Sequence, residues 1–226
     1  MVTQRLASYV ASAANRELPA EVTTKTKHHL LDTIAAMLSG SRLLPGRLAL
    51  QYAADQGGTP QAAIVASGQL TTVTNAALAM GMLAHADETD DSHAPSLTHP
   101  GCSVVPGAMV MADAVGANGT ALLRAIALGY DLCTRVNLSI GTRVLQETHR
   151  STYSISGTFG SMAAAASLAG LDERQVRHAL SYAGQQASGL ASWNRDGEHV
   201  EKSFVFAGMP ARNGVAAVDF VRNAFT

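Results

Sequence analysis

The sequence predicts a mainly α-helical chain with at most one minor β-hairpin. Three observations carry this. Apolar positions recur at helical spacing along most of the 226 residues, as at Val22, Leu30, Leu31, Ile34, Ala35 and Leu38. Stop-and-cap signals such as Asn118-Gly119-Thr120 and Gly170-Leu171-Asp172 separate those stretches. One short stretch, Ala62–Ala66, reads as a strand, an apolar run between turn signals.

The elements follow in order. Residues 3–14 form a short amphipathic helix. Pro19 suits a helix start, because its missing N–H is not needed there, and Ala20–Leu38 continues as a helix with Gly40 at its exit. Arg47–Asp55 is a shorter helix ending at Gly57-Gly58. Thr74–Ala84 and Val104–Val115 are apolar throughout, so both are expected to be buried. A helix from Ala121 to about Ile140 follows the Asn118 stop. Gly157–Ala169 is rich in small residues, which lets helix backbones approach closely. Asp172 is the expected N-cap of a helix ending near Gln186. Ser188–Lys202 reads as a polar loop holding Trp193, the only tryptophan, and Pro210–Phe225 as the last helix. The helical hairpins share punctuation but no sequence repeat.

Composition narrows the function. One large domain or two small ones fit this length. Hydrophobic residues make up 47% and charged residues 15%, so part of the surface is expected to lie against another chain or another part of the protein. A net charge of -1 without a basic block argues against a nucleic-acid partner. No apolar run reaches the ~18 residues of a membrane span. Arg5, Arg16 and Glu17 interrupt the first twenty residues, so no export signal is expected and a cytoplasmic location follows. Cys102 and Cys133 have no metal or redox spacing and read as buried reduced thiols.

The densest chemistry lies in residues 85–100. Four of the seventeen acidic residues, Asp87, Glu88, Asp90 and Asp91, fall within five positions there, and three of the eight histidines, His85, His93 and His99, share the segment. Apolar helices flank it. Ionisable groups between such helices cost free energy unless they pair, bind a ligand or do chemistry. Glu88 and Asp91 would share a face on a helical turn. His99, on the His99-Pro100-Gly101 turn, is suited to proton transfer, having a pKa near neutrality. The alternatives are a hydrogen-bonded helix terminus and a surface histidine. A divalent-metal site using His85, His93 and the acids is a further possibility, but the spacing matches no zinc or iron pattern, so no metal is expected.

Two other stretches carry polar groups. Thr148–Tyr153, with His149 and Arg150, precedes the small-residue helix, where free N–H groups favour a substrate carboxylate; an ordinary capped loop is the simpler reading. Lys202 stands before an apolar stretch, placed to hold a carboxylate or to act as a base. From spacing alone, a solvated lysine paired with Glu198 or Glu201 fits better. His28 and His29 lie in an amphipathic helix and read as structural.

Taken together, these segments resemble the MmgE/PrpD family. His85–Pro100 is similar to its His-x-x-Asp-Phe-Asp-Asp-Thr segment followed by Thr-His-Pro. Gly157-Thr-Phe-Gly-Ser-Met-Ala-Ala-Ala-Ala with Leu171-Asp172 is like its Gly/Ala-rich helix, and Lys202 precedes Gly208-Met-Pro-Ala-Arg-Asn-Gly-Val-Ala-Ala in the family's order. The likeness runs through residues 20–222. It implies a large helical domain plus a smaller α/β lid, a homodimer, and no metal or organic cofactor. It implies a lyase that dehydrates a small polycarboxylate such as 2-methylcitrate; epimerisation and decarboxylation occur in the same family. Catalytic roles would fall to Glu88, Asp91, Ser92, His99 and Lys202. Asp90, His149, Arg150 and Tyr153 would contact substrate. Glu88 stands where many members carry Asp, and Ser92 where they carry Thr. The family's second histidine aligns with Ser151, between His149 and Tyr153. The resemblance further implies that residues 1–226 are the N-terminal helical half, with the lid following Thr226. The rival expectation is a truncated, non-catalytic helical module that dimerises or binds a partner.

Overall fold

The computed structural model describes residues 2–226 as a helical assembly with one two-stranded antiparallel ribbon. Helices α1 (Val2–Ala13), α2 (Ala20–Gly40) and α3 (Leu44–Gln56) precede the ribbon, β1 (Ala62–Ala63) paired with β2 (Leu70–Thr71). Then come α4 (Val73–Ala84), α5 (Gly101–Val115), α6 (Gly119–Ile140), the short α7 (Thr142–Glu147), α8 (Thr152–Leu168) and α9 (Glu173–Gln186). The chain closes with α10 (Val200–Ser203), a π-helical turn at Phe204–Gly208, and α11 (Met209–Arg222). The mainly α expectation holds. The hairpin is shorter than the apolar run suggested, because the chain turns at Ala66 with φ +68°.

Local chemistry sets the boundaries. Asn118 caps α6 through the Ala121 N–H, and Asp172 caps α9 in a reciprocal pair with Gln175. Ser151 caps α8 through the Ser154 N–H, so that helix starts five residues before its glycine-rich part. Its buried hydroxyls all find carbonyls: Ser156 donates to that of Thr152 and Thr158 to that of Ser154, while Thr152, Ser154 and Ser161 donate to those of Leu97, Ser188 and Ala211. The stretch Ser188–Lys202 is not all loop. It holds a 3-10 turn at Ala191–Arg195 and then α10.

α8 lies at the centre, packed against α5, α6, α9 and α11. Met162 and the four alanines Ala163–Ala166 are fully buried. Contact with α6 is backbone to backbone: a Cβ on Gly160 would lie 2.8 Å from the Gly129 carbonyl oxygen. α4 and α5 are buried along nearly their whole length, as their uniform apolarity predicts. The π-helical turn relieves a clash. Pro210 has no N–H, and in a regular helix its ring would crowd the carbonyl of residue 206. Widening the turn accommodates the proline, and the freed Phe206 carbonyl faces the Cys102 thiol at 3.8 Å.

Candidate active site

The site forms where α4 ends, α5 begins and the π-helical turn passes beside them. His85 closes α4, its N–H bonded to the Gly81 carbonyl at 3.2 Å. The loop that follows is not helical, so Glu88 and Asp91 do not share a helical face. Glu88 has φ +56°, and Asp87 holds the turn by accepting from the Thr89 N–H and O–H. Leu97, His149 and His199 also have positive φ. Such backbone strain in non-glycine residues persists only where surrounding structure imposes it.

Asp90 organises the interior. Its side chain is fully buried, and Oδ1 lies 2.8 Å from His85 Nδ1 while Oδ2 lies 3.4 Å from His99 Nδ1. The first contact is a full hydrogen bond. The second is an ion-pair distance with poor hydrogen-bond alignment, leaving both atoms without a regular partner. Burial pushes the Asp90 carboxyl pKa up, but the two histidines outweigh it and hold the group well below the usual carboxylate range. For His99, burial works against protonation. Asp90, with help from Asp91 and Glu88, overcomes this and raises the His99 pKa. Because a carboxylate only accepts, Asp90 fixes the His85 proton on Nδ1 and leaves Nε2 facing away from it.

Lys202 approaches from α10. Its ammonium pairs with Glu88 and lies 5.3 Å from the ring centres of both Trp193 and Phe206. Burial acts to raise the Glu88 pKa, but the hydrogen bond and charge of Lys202 leave it lowered. Phe206 is the floor of the site. Tyr153 stacks on it with 3.6 Å between centroids, His85 stacks at 4.8 Å, and Trp193 meets it edge-on at 4.7 Å. His99 lies 5.5 Å from the Tyr153 ring.

The structure therefore brings Glu88, Asp90, His99, Lys202 and Tyr153 to one place. Asp90 is buried as an internal brace, out of reach of a bound molecule. Asp91 turns the other way: it accepts from the Gly101 N–H at 2.9 Å and the Tyr130 O–H at 2.8 Å, and lies 2.6 Å from His29 Nδ1. It caps α5 and ties it to α2 and α6. Ser92 is exposed, and His149 and Arg150 are exposed outside the cluster. The loop carrying them meets the Leu190 segment through its backbone instead, with the Ala191 N–H bonded to the His149 carbonyl at 3.0 Å. His93 binds Ser96 and stays apart. Lys202 pairs with Glu88, not with Glu198 or Glu201.

Sequence reasoning missed His199, Phe206 and the bracing role of His85. His199 Nε2 lies 3.1 Å from the His85 carbonyl, and Ser203 donates to the same oxygen at 3.1 Å. Burial, then the nearby His85, lowers the His199 pKa. The His85-x-x-Glu88 spacing was a signal for His85; nothing in the sequence marked the other two. A separate apolar groove of about 600 Å³, lined by Leu48, Tyr52, Leu78, Met82, Phe204 and Arg212, contains none of the ionisable cluster.

The family model of the MmgE/PrpD N-terminal domain matches residues 4–226. The chain belongs to the MmgE/PrpD family. It is similar to a cis-aconitate decarboxylase-like protein (oryM) of Aspergillus oryzae, with 27% identity over 99% of this chain and 47% of that protein. It is also similar to a cis-aconitate decarboxylase of Aspergillus terreus, with 24% identity over 95% of this chain and 44% of that protein. The chain thus spans about half the length of the curated relatives it matches. No helix of the described residues is long and apolar enough to cross a membrane.

Proposed function

We propose that this MmgE/PrpD chain carries the acid/base half of a cofactor-independent lyase acting on a small polycarboxylate. The observation that supports it most is the pairing of His99 with a buried, ionised Asp90 beside an ammonium, Lys202, over one aromatic floor. Eliminating water from a polycarboxylate requires removal of a proton from the carbon next to a carboxylate. It also requires donation of a proton to the departing hydroxyl. His99 is the proton-transfer group. Asp90 orients it and stabilises its charged form, in the way a buried carboxylate serves a catalytic imidazole. Lys202 stabilises the carboxylate charge that builds as the carbon loses its proton. Glu88 keeps Lys202 in place until an anion replaces it, and Tyr153 walls the site.

Dehydration of a 2-methylcitrate-like acid is the first reading. Decarboxylation is the second, favoured by the names of both relatives. There, carbon dioxide leaves and the carbanion left behind takes a proton, so the same donor is required. Further substrate contacts would come from the family's lid domain, and the active form would be a homodimer.

The experiment is direct. The full chain is incubated with 2-methylcitrate and with cis-aconitate, and proton NMR follows the products. Turnover of either acid, reduced at least about 100-fold in His99→Asn, supports the reading. Failure to turn over either acid, or full activity in His99→Asn, overturns it.

A further inference from the structure

His85 Nε2 is buried and has no hydrogen-bond partner, although the other ring nitrogen is held by Asp90. A buried polar atom left this way costs free energy unless something binds it. Two more ligand-type atoms converge on it. Glu88 Oε1 lies 3.8 Å away, and a ring nitrogen of His199 completes a set whose atoms all lie within 4.8 Å of one another. We propose that His85, Glu88 and His199 form a site for a zinc-class divalent transition ion, and that the ion inhibits the acid/base centre by taking Glu88 from Lys202.

The donor set suits such an ion. Two imidazoles and one carboxylate are a common zinc combination that leaves a fourth position open. Zinc–ligand bonds of about 2.0–2.1 Å place ligand atoms about 3.3–3.4 Å apart, so the set must contract by roughly 0.5–1.5 Å. The movable members can supply that. Glu88 is on a strained loop with its side chain 41% exposed, and His199 is half-buried just before α10. His85 is fixed and already oriented. Its Nδ1–H bond to a carboxylate is the outer-shell arrangement that metal-binding histidines use to aim the other nitrogen.

The neighbouring set of His85, Asp90 and His99 is also compact. An ion there would have to break the buried 2.8 Å bond between His85 and Asp90, so it fits less well. The Glu88 oxygen that faces His85 Nε2, Oε1, is the one that pairs with Lys202, so an ion bound there competes with the lysine for it. The charge of the ion also repels the ammonium from the position in which Lys202 would hold a substrate carboxylate. Binding needs only the three ligands; the inhibitory consequence rests on the lyase reading above.

The test uses the full chain without a histidine tag, stripped by a chelator. Zinc chloride is titrated by calorimetry, and cobalt(II) by visible absorption, whose bands report a tetrahedral N/O set. We expect one ion per chain. Affinity falls at least about tenfold in His199→Ala and in Glu88→Gln, about 10–100-fold in Asp90→Asn, and stays unchanged in His93→Ala. Circular dichroism checks that each variant is folded. Absent stoichiometric binding, or equal affinity in His199→Ala and Glu88→Gln, overturns the site. Full zinc occupancy with undiminished turnover overturns the inhibition. One-to-one, His199-dependent binding by a chain that turns over neither acid supports the site and counts only against the lyase reading.

Discussion

α8 and the segment from His85 to Pro100 are similar in length and both carry many polar side chains, yet they treat them in opposite ways. In α8 the hydroxyls of Ser156 and Thr158 bond to carbonyls one turn back, and small residues let α6 approach to backbone contact. Nothing is left over. In residues 85–100 several polar groups pair locally, such as Asp87 with Thr89 and His93 with Ser96, but the buried ones do not all find partners. Asp90 is shared between two histidines, and His85 Nε2, Asp90 Oδ2 and His99 Nδ1 are buried without regular partners. The first region maximises packing. The second keeps unmet hydrogen-bonding capacity where a ligand or proton can use it.

The contrast can be broken at Asp90, where the largest stability effect is expected. Asp90→Asn removes the buried anion that both histidines face, and loss of one member of a buried charged cluster costs about 3–5 kcal/mol. Urea unfolding near neutral pH measures it. The pH dependence sharpens the point. Asp90 titrates lower in the folded state, so its contribution is present above the unfolded value of about 3.9 and is lost as pH falls through the folded pKa. His99 titrates higher in the folded state, so its contribution is present below about 6.5 and is lost as pH rises through its raised pKa. These are two ends of one interaction. Unfolding free energies followed from strongly acidic to alkaline pH should show both slopes in the parent; in Asp90→Asn the acid slope of Asp90 should vanish and the His99 slope should shrink to what Asp91 and Glu88 sustain.

His99→Asn tests the other side of the comparison. It should lower turnover by about 10²–10⁴-fold, the usual range for a lost proton-transfer group, with a much smaller change in urea midpoint than Asp90→Asn gives. In the packed region, Gly160→Val should act in reverse. The added side chain meets the α6 backbone and destabilises by about 1–3 kcal/mol, read as a lower thermal midpoint, without a specific change in pH profile. The smallest effect is expected at Asp91→Asn. The single amide oxygen can still accept from the Gly101 N–H, and the Tyr130 hydroxyl can turn to accept from the amide N–H, so about 0.5–1.5 kcal/mol should be lost, mainly from the His29 contact, which thermal unfolding would detect. If Asp91→Asn proved as damaging as Asp90→Asn, the division between brace and cap would be wrong.

Much of this was legible in the residues. The helices, the caps at Asn118 and Asp172, and the burial of α4 and α5 follow from interactions that reach no further than about four residues. So does the choice of residues 85–100, because ionisable groups between apolar helices demand an explanation wherever they fold. α7, the early start of α8 and the π-helical turn were not legible. Ser151 caps α8 ahead of its glycines, and the helix widens just before Pro210 although α5 continues through Pro106 without widening.

The sequence alone determined the helical architecture, the family motifs and the concentration of charge after α4. Only the tertiary structure decided which carboxylate serves which partner. Asp90 and Asp91 are chemically identical neighbours on an irregular loop, whose course sends the two side chains to different partners. One reaches His85 and His99 while the other reaches Gly101, Tyr130 and His29. Lys202 could pair with a nearby glutamate or a distant one, and the packing of the π-helical turn against α4 settled it in favour of Glu88. Pairings of that kind depend on how whole helices dock, and local periodicity contains no record of it.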